Sequence, residues 1–478
     1  MEEDMQQNPA PAQEHSENGA LDGDRQAGII TIVFTANNRL GHAAFSQNPR
    51  RREEGRQRLR RAFQQVTDFA VGQGVDLCVQ AGNLFDTPGP DEEDRSFVAE
   101  RLAQLRQAGI RTFALGGSRD TPANAFASRH TDSSAAHMLP PQISYARLGA
   151  LHYFPPAGSS NHTDEPKTRG AYLEPVMVNV RGTLLAICGL GALPDSEEDP
   201  LAHLSVDSDI ERAAISLLVL HAPIAAALTG SQNEPAERPN DAPVGARFIA
   251  PPSASAPASV SSASITNQTA FRYILAGYHP DYHHLHIGQT DVIVAGATQR
   301  IDFNEPDDDP GFVFLGIAAD GIRWCRHIPI DALKLRRLNI NTAELWPHDA
   351  DTGDTSITDL VLQRLEPLCS ADTLVQLRLT GEVTRSQYHQ VDLNQVRHFG
   401  EELCFALAID DSGLSFVVSE SSLAAGGADA ATVEERLSPR EELVTLADEW
   451  IAAAQDEQER QALQVTKEEL LAALGVNL

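Results

Sequence analysis

Residues 75–90 read VDLCVQAGNLFDTPGP, and this stretch decides the fold of the chain. Its apolar run, Leu77–Ala81, has the length and composition of a short buried strand. Polar residues follow at once, at positions 82–86. Because open α/β sheets place functional groups at the carboxyl ends of parallel strands, this segment is the first candidate for a functional site.

Strand and helix patterns alternate on both sides of this stretch. A continuous β-branched run at 28–35 precedes it, and an amphipathic helix is predicted at 53–72 between the two strands. A second amphipathic helix at 94–107 and a strand at 110–115 follow. This strand–helix–strand order predicts a parallel sheet with right-handed crossovers.

Length and composition limit the class of protein. The 478 residues are 42% hydrophobic, which is sufficient for roughly three domains with real cores. The five cysteines are scattered, so we expect reduced thiols in a cytoplasmic protein. No apolar run reaches the roughly 18 residues that a membrane span requires. Because the net charge is -30, any contact with DNA requires a local basic patch.

Four segments that follow predicted strands resemble motifs of the calcineurin-like metallophosphoesterases, and most closely those of the SbcD-type DNA exonucleases. Residues 82–86 (GNLFD) resemble the family motif GDxxD, and residues 36–41 (ANNRLG) resemble ADxHLG. Residues 117–120 (GSRD) resemble GNHD, and residues 277–280 (GYHP) resemble GHxH. The segment 291–305 resembles a structural segment of the SbcD-type proteins and fixes the register of the comparison.

The resemblance implies an α/β fold, a four-layer metallophosphoesterase sandwich of two packed mixed β-sheets flanked by helices. A small α+β capping domain and C-terminal helices are expected after it. The predicted boundaries are 1–27 for a disordered acidic tail, 28–330 for the phosphoesterase domain with a flexible insertion at 229–269, 331–418 for a capping domain that helps to bind DNA, 419–437 for a linker, and 438–478 for a helical partner-binding segment.

The side chains that would bind two metal ions in the family are mostly replaced here. His221 retains its ligand position, and Arg119 stands where the family has a His that positions the phosphate. Two-metal hydrolysis needs carboxylates and imidazoles, whereas amides carry no charge and a guanidinium cannot ligate a cation. We therefore expect no catalytic residue and no metal cofactor. The replaced ligand positions hold Asn37, Arg39, Asn83, Ser118, Tyr278 and Pro280.

The replacements suggest a different use of the site. Arg39 and Arg119 would place two fixed positive charges in the former metal cavity, where they could bind a phosphate or a DNA end without hydrolysis. The alternative is that they pair with Asp86 and Asp120. The start of the helix at 53–72 is strongly basic and is a candidate phosphate-backbone patch, the alternative being a solvated face. The residues of this patch are Arg51, Arg52 and Arg56.

Two further features leave other functions open. The segment 279–286 is rich in His, and His279, His284 and His286 could form a shifted site beside His221 that binds Mn²⁺ or another divalent metal. At the other end of the chain, an apolar stripe follows a helix capping box. In the family such a helix clasps the coiled coil of an SbcC-type ATPase. The stripe consists of Leu443, Leu446, Trp450 and Ile451.

The sequence thus predicts an SbcD-like DNA repair exonuclease homologue that has lost two-metal catalysis. It would act as a DNA-end-binding or regulatory subunit of an SbcC-like ATPase complex. An active metal-dependent phosphoesterase with a rearranged site is the first alternative, and a pure protein-interaction module is the second. Whether the protein is an enzyme, and whether it forms a homodimer, are left open.

Overall fold

The computed structural model describes residues 28–43, 49–122, 139–155, 171–192, 199–230, 259–305, 308–346 and 356–417, and Gln464. Its strands are β1 (Ile30–Thr35), β2 (Leu77–Ala81), β3 (Arg111–Leu115), β4 (His152–Phe154), β5 (Tyr172–Leu173), β6 (Val176–Val180), β7 (Thr183–Leu190), β8 (Ser205–Val206), β9 (Ile215–Leu220), β10 (Tyr273–Ala276), β11 (Tyr282–Ile287), β12 (Thr290–Ala295), β13 (Gly311–Ala318), β14 (Gly321–Pro329), β15 (Lys334–Asn341), β16 (Thr373–Val383) and β17 (Ala406–Phe416).

Helices connect and cover these strands. The α-helices are α1 (Pro49–Gln73), α2 (Glu92–Gln107), α3 (Gln142–Arg147), α4 (Ala225–Gly230), α5 (Ser262–Asn267), α6 (Thr342–Leu345), α7 (Ile357–Leu365), α8 (Arg385–Tyr388) and α9 (Leu393–Leu403). Two short 3-10 helices lie at Ser208–Arg212 and Glu366–Leu368. Asp91 caps α2 by accepting a hydrogen bond from the backbone N–H of Asp94, which explains why this helix begins earlier than its apolar pattern indicated.

The first sheet has six strands in the order β14-β13-β1-β2-β3-β4. Strands β1 to β3 are parallel, as the alternation of strands and helices predicts. Strand β4 adds a fourth parallel strand, and β13 pairs antiparallel with β1. The sequence predicts a hairpin around Asp320-Gly321, and β13 and β14 are indeed joined there, by a turn at 319–320. Every residue of β2 is buried, which is typical of a central strand covered on both faces.

The second sheet also has six strands, in the order β11-β12-β10-β9-β7-β6. Strands β7, β9, β10 and β12 are parallel, and the two edge strands pair antiparallel with their neighbours. Both sheets are therefore mixed, with four parallel strands each. Because both sheets direct the carboxyl ends of parallel strands toward the same region, two sets of strand-end loops can meet there.

The layers follow from three apolar clusters. The central cluster lies between the sheets and combines residues such as Phe34 of β1 and Leu217 of β9. A second cluster joins the outer face of the first sheet to α1 and α2, for example through Phe63 and Leu102. A third covers the outer face of the second sheet with α4 and α5. The predicted four-layer α/β sandwich is confirmed.

A smaller unit follows the sandwich. Strands β15, β16 and β17 form a parallel sheet, and α6, α7 and α9 pack against it around Val361, Leu377 and Val396. It joins the body of the protein through a small apolar cluster that includes Leu335, Phe405 and Phe303. We call this unit the cap.

Some local expectations need correction. The sequence predicts short strands from Ile143 to Leu190, whereas residues 142–147 form helix α3, and β4 joins the first sheet. The expected flexible insertion at 229–269 lies mostly outside the described residues, but its last part is packed: Val260 is buried and bridges to Ile224, and α5 buries Ile265. The tail at 1–27, the linker at 419–437 and, apart from Gln464, the segment 438–478 lie outside the described residues. No helix in the described ranges is long and apolar enough to cross a membrane.

Candidate functional site

The ends of parallel strands from both sheets meet at one edge of the sandwich. The backbone N–H of Asn37, after β1, donates to the carbonyl of Gly82, after β2, at 3.1 Å. The N–H of Arg39 donates to the carbonyl of Asn83 at 2.9 Å. From the second sheet, Ala192 donates to Gly116 at the end of β3. The structure therefore brings the predicted motif segments together, and we call this place the strand-end site.

The backbone of the strand-end site is unusual. Asn37, Arg39, Asn83 and Tyr278 all have positive φ, with values of 50°, 51°, 56° and 76°. In the described chain, the other non-glycine residue of this kind is Arg181, in the turn between β6 and β7. Left-handed backbone at such residues costs about 1–3 kcal/mol each and persists where the surrounding structure enforces it, often at functional sites. All four site residues occupy positions that the resemblance assigns to metal ligands.

Two buried amides link the sheets. Asn83 donates from Nδ2 to Oδ1 of Asn37 at 3.0 Å, and Asn37 donates from Nδ2 to the carbonyl of His279 at 2.9 Å. The Oδ1 atom of Asn83 accepts from the backbone N–H of Arg119 at 2.9 Å. Both amide oxygens thus already accept hydrogen bonds. This neutral network ties four strand ends together, those of β1, β2, β3 and β10, without needing a cation between them.

Two glycines permit the close packing of this network. A Cβ atom at Gly117 would overlap the side-chain oxygen and backbone nitrogen of Asn83. A Cβ atom at Gly277 would overlap the carbonyl oxygen of Ala81. Neither glycine was predicted as a functional residue, although both stand inside motif segments. Glycine is required at these two positions because of contacts between distant parts of the chain, and such contacts cannot be predicted from the sequence.

His221 lies at the floor of the site, after β9. Its Nδ1 atom donates to the carbonyl of Ala81 at 2.8 Å. Its Nε2 atom is buried and has no hydrogen-bond partner among the described residues. Burial lowers the pKa of His221 to about 4. The ring is therefore neutral at pH 7, and the edge-to-face ring of Tyr278 lies 5.7 Å from it, centroid to centroid.

Arg39 is held by an ion pair. Its Nε atom donates to Oδ1 of Asp86 at 2.6 Å, and His42 donates from Nδ1 to Oδ2 of the same carboxylate at 3.0 Å. Burial alone would raise the pKa of Asp86, but the hydrogen bond from His42 and the charge of Arg39 outweigh it and lower this pKa. His42 was not predicted as a site residue, and no pattern in the sequence marks it.

Arg119 behaves differently from the expected alternative. Asp120 is fully buried and accepts from the N–H of Gly117 at 2.7 Å and from the side chain of Gln142 at 2.5 Å. Burial raises the pKa of Asp120 to about 6. No carboxylate in the described part of the chain pairs with Arg119, whose side chain is exposed and whose charge acts on Arg39 and Tyr278. Ser118, on the same turn, is also exposed. The alternative of two ion pairs therefore holds for Arg39 and is wrong for Arg119.

The His-rich segment does not converge on His221. His279 is buried nearby, but its Nε2 atom accepts from the backbone N–H of Ile224 at 2.7 Å. His284 and His286 lie on edge strand β11, with imidazole nitrogens 3.9 Å and 2.9 Å from Oδ1 of Asp291. Asp291 lies at the start of β12 and pairs with Tyr273 at the start of β10. This end of the sheet is opposite to the strand-end site. The expectation of these residues beside His221 is wrong for His284 and His286.

The basic start of α1 is largely neutralised. Arg51 pairs with Glu54 at 3.2 Å, and Arg56 pairs with buried Asp94 at 3.1 Å. Arg52 is exposed. A phosphate would have to displace an existing carboxylate at Arg51 and Arg56, so the structure corrects their assignment as a free phosphate-binding patch. The expected partner-binding residues Leu443, Leu446, Trp450 and Ile451 lie outside the described residues.

Glu305 is a site neighbour that sequence reasoning treated as purely structural. Its Oε1 atom accepts from the backbone N–H of Ile301 at 3.1 Å, and burial raises its pKa to about 7. Its charge also acts on Arg39. Arg337 of β15 in the cap donates to its carbonyl oxygen at 2.5 Å. The segment 291–305 thus connects the strand-end site to the cap.

Comparisons with known proteins find a likeness over a short stretch of the chain. The chain is 32% identical over 95 residues to the DNA double-strand break repair protein Mre11 of Methanosarcina acetivorans, covering 20% of this chain and 15% of that protein. It is 33% identical over 92 residues to Mre11 of Methanosarcina mazei, covering 19% and 14%. The match therefore spans about one seventh of the length of these relatives. No protein-family model matches the chain.

Solved structures resemble the chain more distantly. A Staphylococcus aureus protein described as a 5′-nucleotidase aligns with a TM-score of 0.33 at 12% identity, covering 72% of this chain and 59% of that one. A dimetal phosphatase from Danio rerio aligns with a TM-score of 0.29 at 9% identity, covering 63% and 99%. These scores are too low to bear on function. The likeness to Mre11 is limited to the short stretch described above.

Divalent metal ions are typical of the metallophosphoesterases whose motifs these segments resemble, but the residues at the strand-end site do not fit a two-metal centre. The positions at the strand ends supply amides whose oxygens already accept hydrogen bonds, and two guanidinium groups that would repel cations. His221 is one imidazole without a neighbouring carboxylate ligand. Over the described ranges, no group of three or more His, Cys, Asp or Glu residues is arranged to hold a metal ion.

Proposed function

We propose that this chain is a non-catalytic, Mre11- and SbcD-like subunit that binds DNA ends through their phosphates. In this proposal it works in the cytoplasm as a partner of an SbcC-like coiled-coil ATPase. The observation that carries the proposal is the pair of arginines at the strand-end site. Arg119 is exposed and has no ion-pair partner among the described residues, and its charge acts on Arg39.

The charge balance of the site supports phosphate binding. Asp86 neutralises Arg39, while Asp120 is turned away and bonded to backbone N–H groups. The positive charge of Arg119 is therefore available to an incoming anion. A guanidinium suits phosphate because its fork of N–H donors can bind two oxygens at once.

The same residues argue against hydrolysis. A two-metal mechanism needs cations that offset the phosphate charge and generate hydroxide. Here that charge comes from guanidinium groups, which cannot activate water because they neither ligate it nor deprotonate at neutral pH. The proposed role is therefore binding, and a regulatory role within an ATPase complex is consistent with it.

The partnership with an ATPase rests on the likeness to Mre11 and on the C-terminal stripe of Leu443, Leu446, Trp450 and Ile451. Such an amphipathic segment is suited to a hydrophobic groove, where Trp450 would be the anchor. Co-purification of the full chain with its coiled-coil ATPase tests this part. Loss of the complex in Trp450→Ala, with retention in Trp346→Ala as a control, is the expected result.

The binding site is tested with the full-length protein and a fluorescent linear duplex. In Arg119→Gln combined with Arg39→Gln, we expect the dissociation constant for ends to rise about tenfold or more, because charge-assisted hydrogen bonds are lost. Gln at position 39 retains a donor for Asp86. The control Arg212→Gln removes an exposed arginine on the 3-10 helix Ser208–Arg212 and leaves the site intact.

Nuclease activity and metal content are measured on the same preparation after a Mn²⁺ soak. We expect no cleavage and no stoichiometric Mn²⁺. About two Mn²⁺ per chain with degradation of ends would replace the proposal with an active phosphoesterase. Unchanged end binding in the double variant, without cleavage, would favour a pure protein-interaction module.

A further inference from the structure

The strand-end site contains two kinds of polar atom that the protein does not use. The Arg119 guanidinium and the Tyr278 hydroxyl are donors that no described residue satisfies. The Nε2 atom of His221 is buried and also has no partner in the described part of the chain. A buried polar atom without a partner costs free energy, so such atoms often mark a place that a ligand completes.

The hydrogen bond of His221 allows only one tautomer of its ring. Its Nδ1 atom faces the carbonyl of Ala81, and a carbonyl can only accept, so Nδ1 carries the proton. Because the ring is neutral, Nε2 then bears a lone pair and must accept. The groups that surround this ring are Ala81, Tyr278, His279 and, through its charge, Arg39.

A ligand that satisfies the whole site must therefore accept from arginine and also donate to His221. The free oxygens of a phosphodiester accept hydrogen bonds but carry no proton to give. A phosphate monoester near its second pKa, about 6, carries a P–OH group as well as ionised oxygens. The shared chemistry of a hydrogen phosphate, free or at the end of a nucleic acid strand, matches this set of donors and acceptor.

We propose that the strand-end site is selective for terminal phosphate monoesters over internal phosphodiesters. The ionised oxygens contact Arg39 and Arg119, and the P–OH group donates to Nε2 of His221. This inference rests on the proposed phosphate-binding function and adds the identity of the phosphate. His221 is the specificity-determining residue, since it contributes the acceptor that a diester cannot use.

The ring of Tyr278 neighbours this acceptor. This ring lies edge-to-face on both His221 and His279, with centroids 5.7 Å and 5.6 Å away. Nε2 of His221 is shielded from solvent, so a phosphate reaches it only after a neighbouring side chain moves. The Tyr278 hydroxyl is a further donor available to the same ligand.

The test is calorimetric titration of the full chain with methyl phosphate and with dimethyl phosphate at pH 5. At this pH the monoester carries about one negative charge, as the diester does, because its second pKa is about 6. A preference then reports the hydroxyl group and not the charge. We expect methyl phosphate to bind about tenfold more tightly, the effect of one well-formed hydrogen bond to a buried acceptor.

Variants separate this inference from the proposed function. In His221→Asn, whose side chain is too short to reach the ligand, the ratio of the two affinities is expected to fall to about one, whereas Arg119→Gln weakens both ligands and keeps the ratio. Arg119→Gln keeps the inference testable if His221→Asn fails to fold. Equal affinities in the native protein would overturn the inference and leave the proposed function standing. Binding of neither ester would overturn both.

The source of the phosphate is distinguished with duplexes that differ only at their ends. Tighter binding of a 5′-phosphorylated duplex than of its 5′-hydroxyl counterpart assigns the site to nucleic acid ends. Equal binding of the two duplexes, with the preference for methyl phosphate retained, assigns it to free phosphate esters. The 3′-phosphorylated duplex completes the comparison.

Discussion

At the scale of single residues, one glycine is required by close packing, whereas another has no such requirement. A Cβ at Gly117 would overlap Asn83, whereas a Cβ at Gly72, inside α1, would meet no atom beyond the adjoining residues of the helix within 4 Å. We expect Gly117→Ala to lower the free energy of unfolding by about 1–3 kcal/mol, because overpacking forces the strand-end network apart. Gly72→Ala should instead raise it by about 0.5–1 kcal/mol. Urea unfolding measures both, and similar values for the two variants would contradict this account of the site.

The buried carboxyl of Asp120 makes a second prediction at this scale. Burial raises its pKa from 3.8 to about 6, so the folded state binds a proton more tightly than the unfolded chain. The protonated Asp120 carboxyl therefore contributes up to about 3 kcal/mol to the free energy of unfolding. This contribution is fully present below pH 4 and is lost as the pH rises through 6. Asp120→Asn should flatten this part of the pH profile of unfolding. The slope, and not the absolute stability, is the readout, because Asn also changes the local hydrogen bonds.

At the scale of elements, α1 connects the body to the cap. Arg58 donates to Glu54 and to Asp372 of the cap at 2.9 Å and 2.5 Å, and its guanidinium lies 5.3 Å from the ring centroid of Phe405. The basic start of this helix was interpreted from its charge as either a solvated face or a phosphate patch. In the fold it is chiefly an internal junction, which supplies the reason for so many arginines on one helix.

We expect Arg58→Ala to weaken this junction by about 1–2 kcal/mol, a value reduced because Asp372 is largely exposed. Hydrogen exchange should then accelerate in the loop around Asp372 and in β17, while the central sheets are unchanged. Arg61→Ala, on the exposed side of the same helix, is the matched control and should lie within about 0.5 kcal/mol of the native protein. Equal effects of the two substitutions would mean that charge alone, and not this contact, sets the stability.

The sequence predicted elements better than it predicted contacts. Strands β1 to β3 and helices α1 and α2 follow from apolar period and length, which are local properties. The pairing of β4, and with it the position of α3, depends on the edge of the first sheet at β3, and this edge exists only in the folded protein. At the site, the motif segments located Asn37, Asn83 and Tyr278, but which atom bonds to which was not available from the chain alone. Among the described residues, the Arg119 guanidinium has no carboxylate partner because the buried carboxylate of Asp120 instead accepts from Gly117 and Gln142.

At the scale of the whole molecule, the net charge of -30 opposes any approach to nucleic acid. If two arginines contact phosphate, the logarithm of the binding constant for DNA ends should fall with the logarithm of salt concentration with a slope near -2. Arg119→Gln should reduce the size of this slope by about one unit. Fluorescence anisotropy at salt concentrations between about 50 and 200 mM measures the slope for both proteins. A steep slope that is unaffected by the variant would place the contact elsewhere on the surface.

The four left-handed residues of the strand-end site have a consequence for how such a protein can change. Their backbone conformations are set by the loops and strand ends, whereas their side chains determine what the site can bind. Asn, Asp and Gly tolerate this conformation best, so exchanges among them need no rebuilding of the loops. Chemistry and framework are thus separable at this edge of the sandwich. A lineage could lose one activity and acquire another here by point substitution, and a protein engineer could follow the same route in either direction.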